Sequence, residues 1–156
     1  MSRNALAALV FASAALAAAP AIADPFESDP NLAATDTDFA AGKQAMEKKN
    51  WREAAKRFEA ALKRNPDSAD LQNYLGYTHR NLKQFDLAFR YYKRAIELDP
   101  RHRGAHEYIG EAYLMVNDLP NAEKHLAALR GICLLPCEEL DDLAQAVAAY
   151  RAKPVK

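Results

Sequence analysis

The sequence predicts an all-α protein built as a solenoid of helical hairpins. Five glycines among 156 residues, and few runs of β-branched residues, argue against a β-sheet fold. Three of those glycines, Gly42, Gly76 and Gly110, recur every 34 residues. A period of that length is typical of stacked units, each too small to bury its own apolar face. The sequence therefore predicts several similar helix pairs packed side by side.

The N-terminus has the composition of a signal peptide. Arg3 is followed by an apolar run, Ala5 to Ala19, that is too short to span a bilayer comfortably. Small residues in Ala21-Ile22-Ala23 then match the positions that a signal peptidase reads. We expect residues 1–23 to be a bacterial Sec-type signal, cleaved before Asp24, and the mature protein to be soluble and periplasmic. Residues 24–35, rich in proline and aspartate, are expected to form a flexible leader.

Several columns keep the 34-residue register from residue 36 onward. Alanine recurs at Ala54, Ala88 and Ala122, and a bulky residue follows four positions after each. The apolar periodicity predicts helix pairs, with small residues where helices approach closely. The predicted helices are Asp36–Lys48, Arg52–Arg64, Ser68–Leu82, Phe85–Leu98, Arg103–Val116 and Pro120–Arg130.

The middle unit, LQNYLGYTHRNLKQFDLAFRYYKRAIELDP, carries a family resemblance. Its Leu75-Gly76, then Ala88, Tyr92, Ala95 and a closing proline are similar to the pattern of tetratricopeptide repeats. The resemblance covers about Thr35 to Leu134. It implies three units, approximately 35–68, 69–102 and 103–136, that stack into a small solenoid.

The chain departs from the pattern after the third unit. Leu129 and Leu134 replace the second alanine and the closing proline, and GICLLPC follows in place of a fourth unit. Glu138 to Ala152 then places Leu140, Leu143, Ala144, Val147 and Tyr150 on one helical face. We expect residues 137–153 to form a capping helix that covers the last repeat.

The resemblance also implies a concave groove lined by the first helix of each unit. Groove exposure is expected for Tyr74 and Tyr108, whereas Tyr77 is equally compatible with inter-repeat packing. The groups with which some family members clamp a C-terminal carboxylate are not matched, so an EEVD-type chaperone tail is not the expected ligand. The residues mapped onto the groove are Phe39, Lys43, Met46, Asp70, Asn73, Tyr74, Tyr77, Arg80, Asn81, Glu107, Tyr108, Glu111 and Met115.

Cysteines and histidines are the residues that could carry chemistry. In an oxidising periplasm Cys133 and Cys137 most simply form a disulfide, with redox-active thiols or a soft-metal site as alternatives. His79 is expected to be a half-buried structural residue and His125 to be exposed. His102 and His106 lack an evident third ligand, so no metal site is expected.

Two functional hypotheses follow. No nucleophile–histidine–acid spacing, glycine-rich phosphate loop or paired acidic motif is present in the sequence, so we expect neither an enzyme nor a cofactor. A formal net charge of zero gives no indication of a nucleic-acid partner, and we expect no membrane insertion of the mature chain. The first hypothesis is a module that binds a peptide segment or helix of another protein, in the groove or on the convex face. The second is a metal- or thiol-handling protein using Cys133 and Cys137.

Overall fold

The computed structural model describes residue 32 and residues 36–153, and within them it contains seven α-helices and no strand. The all-α prediction is confirmed. None of these helices is long and apolar enough to span a membrane. The predicted signal peptide lies outside the described residues. The helices are α1 (Thr37–Glu47), α2 (Trp51–Arg64), α3 (Ala69–Asn81), α4 (Phe85–Leu98), α5 (Arg103–Met115), α6 (Leu119–Ile132) and α7 (Glu138–Arg151).

The helix boundaries follow from side chains that accept hydrogen bonds from unpaired backbone N–H groups. Oδ1 of Asp36 accepts from the N–H groups of residues 38 and 39 before α1. Ser68 accepts from residue 71 before α3, and Asp118 accepts from residue 121 before α6. Each observed boundary lies within two residues of the predicted one. Of the expected leader, residues 24–31 and 33–35 lie outside the described residues, and Leu32 is buried against the first repeat.

The turn inside each hairpin uses one residue in the left-handed region. Lys49, Lys83 and Asn117 have φ of 55°, 62° and 62° and are again 34 residues apart. One left-handed residue reverses the chain tightly enough for the second helix to pack back on the first. The pairs α1–α2, α3–α4 and α5–α6 are accordingly three antiparallel hairpins, each in extensive contact.

A glycine in the first helix of each hairpin sets the closeness of that packing. A Cβ atom placed on Gly42 would lie 2.5 Å from the ring of Phe58, and one on Gly76 would lie 2.5 Å from the ring of Tyr92. Both rings are fully buried. The aromatic side chain of the second helix therefore lies directly on the backbone of the first, which only glycine permits.

In the third hairpin, the side chain that packs on the glycine comes from the capping helix. Its second helix has Leu126 where the others have an aromatic residue, and the neighbour of Gly110 is Leu143 of α7, at 2.6 Å from a placed Cβ. Leu143 is fully buried. Because of this contact, α7 packs more extensively on α5 than on α6. The capping helix thus packs mainly on the side of the stack that the first helices of the hairpins form.

Glycine-to-alanine substitutions test this description. We expect Gly76→Ala to lower the free energy of unfolding by about 1–3 kcal/mol, because the enclosed Tyr92 ring has nowhere to move. Gly110→Ala should cost less, since the opposing atoms belong to the end of a leucine side chain. Gly131→Ala, which meets nothing within 4 Å, is the control and should be neutral or stabilising by up to about 1 kcal/mol. Urea denaturation measures all three; equal effects at the three sites would contradict the close-approach explanation.

Candidate functional site

The aromatic residues expected in the groove are largely core residues. Phe39 is 0% and Tyr74 is 1% exposed, and their ring centroids lie 5.2 Å apart. The ring of Phe58 stacks on Tyr74 at 5.0 Å. The expected groove exposure of Tyr74 is therefore wrong, and Phe39, which the resemblance mapped onto the groove, is buried. Tyr74 fills the space between the first and second hairpins, so apolar burial determined its direction.

Arg80 lies beneath the concave surface, between two tyrosines. Its guanidinium carbon is 4.8 Å from the ring centroid of Tyr77 and 5.4 Å from that of Tyr108. Arg80 also donates to the carboxylate of Glu111 and to the backbone carbonyl of Tyr108. Tyr108 is only 6% exposed, so its expected groove exposure is also wrong. Cation–π contacts and charge-assisted hydrogen bonds hold this part of α3 and α5 in one arrangement.

Tyr77 combines the two roles that the sequence left open. It is partly buried and makes edge-on ring contacts with Trp51 at 5.9 Å and with Tyr108 at 5.1 Å. Asn73, at 2% exposed, and Glu107, at 5%, are buried at the same concave side. The groove residues that keep accessible surface are Lys43, Met46, Asp70, Tyr77, Asn81, Glu111 and Met115.

A pocket of about 350 Å³ lies where the C-terminal ends of α3, α5 and α7 meet. Met115, 45% exposed, is the most accessible of its large apolar side chains. Of the predicted groove residues, the structure brings together four here and leaves Phe39 and Lys43 on the first hairpin. The pocket is lined by Arg80, Asn81, Glu111, Leu114, Met115, Ala146, Ala149, Tyr150 and Lys153.

The contribution of α7 to this pocket was missed by the sequence analysis, which assigned α7 only a covering role. Ala146, Ala149 and Tyr150 belong to α7, and Lys153 lies two residues beyond its end. The hydroxyl of Tyr150 donates to Asn117 at 3.2 Å and fixes this end of the helix. The available signal was Leu126 in an aromatic column, which leaves Gly110 to be covered by the next helix.

Glu107 is the most perturbed carboxyl group of the concave side. Burial, followed by repulsion from Glu111, Asp142 and Glu139, raises its pKa to about 8. The nearby Arg80 offsets this only in part, because its guanidinium is already engaged by Glu111. At neutral pH Glu107 is therefore mainly protonated.

His106 and His125 form a pair on the third hairpin. Their Nδ1 atoms are 3.0 Å apart, and Nε2 of His106 lies 3.2 Å from the carbonyl oxygen of Pro100. His125 is partly buried, so its expected exposure is wrong. Burial, then the neighbouring His106, lowers the pKa of His125 to about 4, so the pair is neutral at pH 7. His79 is more buried than expected, at 5% exposed, and stacks on Tyr91.

Cys133 and Cys137 lie away from the pocket. The first ends α6 and the second precedes α7, and their sulfur atoms are 2.00 Å apart. Ala149 follows Cys137 by about 18 Å along the axis of α7. Within residues 36–153, no group of three or more histidine, cysteine, aspartate or glutamate side chains is arranged to hold a metal ion.

Glu107→Gln should change the pH dependence of stability. Because the carboxyl pKa of about 8 exceeds the ordinary value of 4.5, the wild type loses stability as pH rises between those values. The amide variant lacks this loss. We expect the two proteins to be equally stable near pH 4.5 and the variant to be more stable above pH 8 by about 2–4 kcal/mol. Urea denaturation across this range measures the difference; parallel curves would show that Glu107 ionises as an ordinary surface carboxyl.

Comparison with known proteins agrees with this architecture. A family model described as tetratricopeptide repeat matches residues 39–101 and 80–133, more than half of the chain. Human protein O-mannosyl-transferase TMTC3 is 33% identical over 75 residues, which are 48% of this chain and 8% of that protein. This chain thus corresponds to a small part of that curated relative.

Two solved structures illustrate the shared fold. The TPR2B domain of yeast Sti1, in a complex with pHsp70, has a TM-score of 0.66 at 24% identity, covering 72% of this chain and 94% of that one. The Yersinia enterocolitica type III secretion chaperone SycD, in complex with a peptide of the translocator YopD, has a TM-score of 0.66 at 18% identity. That match covers 75% of this chain and 88% of SycD. At these identities the likeness is one of fold. The family match over residues 39–101 and 80–133 shows that this chain belongs to the tetratricopeptide repeat family.

Proposed function

We propose that this protein is a non-enzymatic interaction module that binds a segment of another protein in the pocket between α3, α5 and α7. The observation that carries the proposal is the pocket itself. One side is apolar, formed by Leu114, Met115 and two alanines of α7, and its floor is the rigid Arg80–Glu111 pair. An accessible apolar surface beside fixed polar groups suits a peptide segment or one face of a helix.

The solved neighbours support a peptide-binding role. The solved Sti1 and SycD structures are complexes with pHsp70 and with a YopD peptide, respectively. We propose the same general use of the fold here, with a different ligand. Phe39, Gly104 and Tyr108 stand where the carboxylate-clamping members carry basic or amide groups, and all three are buried. A terminal carboxylate therefore has no cationic partner among them.

The proposal that the protein is not an enzyme is compatible with its similarity to the transferase TMTC3. The match to TMTC3 covers only 8% of that protein and 48% of this chain. A fold does not by itself imply a catalytic function, which has to be argued from the residues of a site. The pocket instead combines apolar surface with an arginine that Glu111 already engages.

We also propose that the chain is exported, processed before Asp24 and active in the periplasm. Arg3, the apolar run and Ala21-Ile22-Ala23 support export. The adjacent sulfur atoms of Cys133 and Cys137 support a disulfide that joins the end of α6 to the start of α7. In an oxidising compartment such a bond persists and fixes the angle at which α7 enters.

Filling the pocket should abolish partner capture. We expect Ala149→Trp, at an exposed residue that lines the pocket, to remove the proteins retained by the wild type in affinity capture from periplasmic extract. Ala148→Trp, at an exposed residue outside the pocket lining, is the matched control and should retain them. Thermal unfolding should be unchanged in both. Retention by Ala149→Trp, with loss after Lys93→Glu on the exposed surface of α4, would place binding on the convex face instead.

The cysteine pair should be structural. We expect the exported protein to contain no titratable thiol and no bound copper, and the double variant Cys133→Ser/Cys137→Ser to lose at most about 2 kcal/mol of unfolding free energy. Its partner capture should persist, because the pair is remote from the pocket. Free thiols or stoichiometric Cu(I) in the purified protein would favour a thiol- or metal-handling function.

A further inference from the structure

We propose that the protein segment bound in the pocket carries a lysine or arginine whose side chain reaches Glu107. This inference rests on the proposed function and specifies the chemistry of its partner. It is carried by Glu107, a largely buried carboxyl group, and by the other acidic side chains near it. The arginines in this region already engage other carboxylates.

The charges around Glu107 do not balance locally. Arg80 of α3 donates to Glu111, and Arg103 of α5 lies 3.4 Å from the carboxylate of Glu139 on α7. Both arginines thus already engage a carboxylate. These ion pairs involve Glu111 and Glu139, whereas Glu107, which is buried, and Asp142, which is exposed, are not part of them. Several titratable groups on the surrounding helices interact electrostatically with Glu107. They are Arg80 of α3, Tyr92 of α4, Tyr108 and Glu111 of α5, and Glu139 and Asp142 of α7.

Burial makes the missing partner of Glu107 consequential. The residue is 5% exposed, and removing a carboxylate from water carries a desolvation cost. Burial and the surrounding carboxylates together raise its pKa to about 8, so the empty site relieves the cost by holding a proton. A cation that enters the site can replace that proton and form a charge-assisted hydrogen bond.

Glu107 does not itself line the pocket, so a cation bound there has to extend past Glu111 to reach it. Glu111 lines the pocket and lies one helical turn from Glu107 on the same face of α5, about 6 Å along the axis. The flexible four-carbon stem of lysine covers that length, with its methylene groups beside the apolar wall formed by Leu114 and Met115. The recognition is opposite in charge to the clamping of a terminal carboxylate.

Selection from a random peptide library tests the inference with the full mature chain as bait. Peptides are flanked by fixed residues so that neither terminus is free, and binders are retained only if Ala149→Trp abolishes their binding. We expect these sequences to share one basic position. Replacing that residue with norleucine should weaken binding at least about tenfold at pH 9, and the Glu107→Gln bait should weaken the parent peptide similarly. In the Glu107→Gln bait, the norleucine replacement should change affinity by less than about threefold.

The pH dependence gives a second readout, because binding the cation requires Glu107 to lose its proton. Affinity of the basic peptide for the wild type should rise from pH 6 to pH 9, whereas that of the norleucine peptide should stay level. Glu97→Gln, which removes an equal charge from the exposed surface of α4, should leave both affinities unchanged.

The outcomes separate the two proposals. Binders that Ala149→Trp abolishes, but that share no basic residue or ignore Glu107→Gln, would overturn this inference while leaving the interaction module intact. A selection in which Ala149→Trp abolishes no binder would overturn the proposed pocket and, with it, this inference.

Discussion

The close contact of a buried side chain with a glycine in the first helix of each hairpin determines most of this structure. In the first two hairpins the contacting group is an aromatic ring from the same hairpin, Phe58 or Tyr92. In the third hairpin Leu126 replaces that ring, and Leu143 of the capping helix makes the contact with Gly110 instead. Because van der Waals packing tolerates no void of that size, the replacement draws α7 onto α5. The pocket between α3, α5 and α7 is a consequence of this substitution.

The packing of α7 on α5 also changes the electrostatics of the concave side. Because the capping helix packs on α5, its Glu139 and Asp142 lie close enough to Glu107 to raise the pKa of the Glu107 carboxyl group. Arg80 cannot neutralise all of this charge, since it is enclosed by two tyrosine rings and hydrogen-bonded to Glu111. The rigid floor and the uncompensated carboxyl group are therefore produced by one packing arrangement. Rigid, preformed polar groups lose little conformational entropy on binding, which favours specific recognition.

The sequence was sufficient for the fold because its signals are local or repeated. Helix boundaries depend on capping side chains such as Ser68 and Asp118, which act within three residues. The hairpins depend on a 34-residue register that several columns share. Side-chain directions could not be predicted from such local or repeated signals. Tyr74 and Tyr108 occupy groove columns, yet both rings are buried in clusters shared with a neighbouring hairpin. The enclosure of Arg80 likewise depends on Tyr108 and Glu111, 28 and 31 residues further along the chain.

The most direct test of the account is a crystal structure of the mature protein with a bound peptide selected through the pocket. The account predicts that the peptide lies between α3, α5 and α7, against Met115 and Ala149, with a basic side chain directed at Glu107. A peptide bound on the surface of α2, α4 and α6, or a groove ligand that directs an acidic or apolar side chain at Glu107, would contradict it.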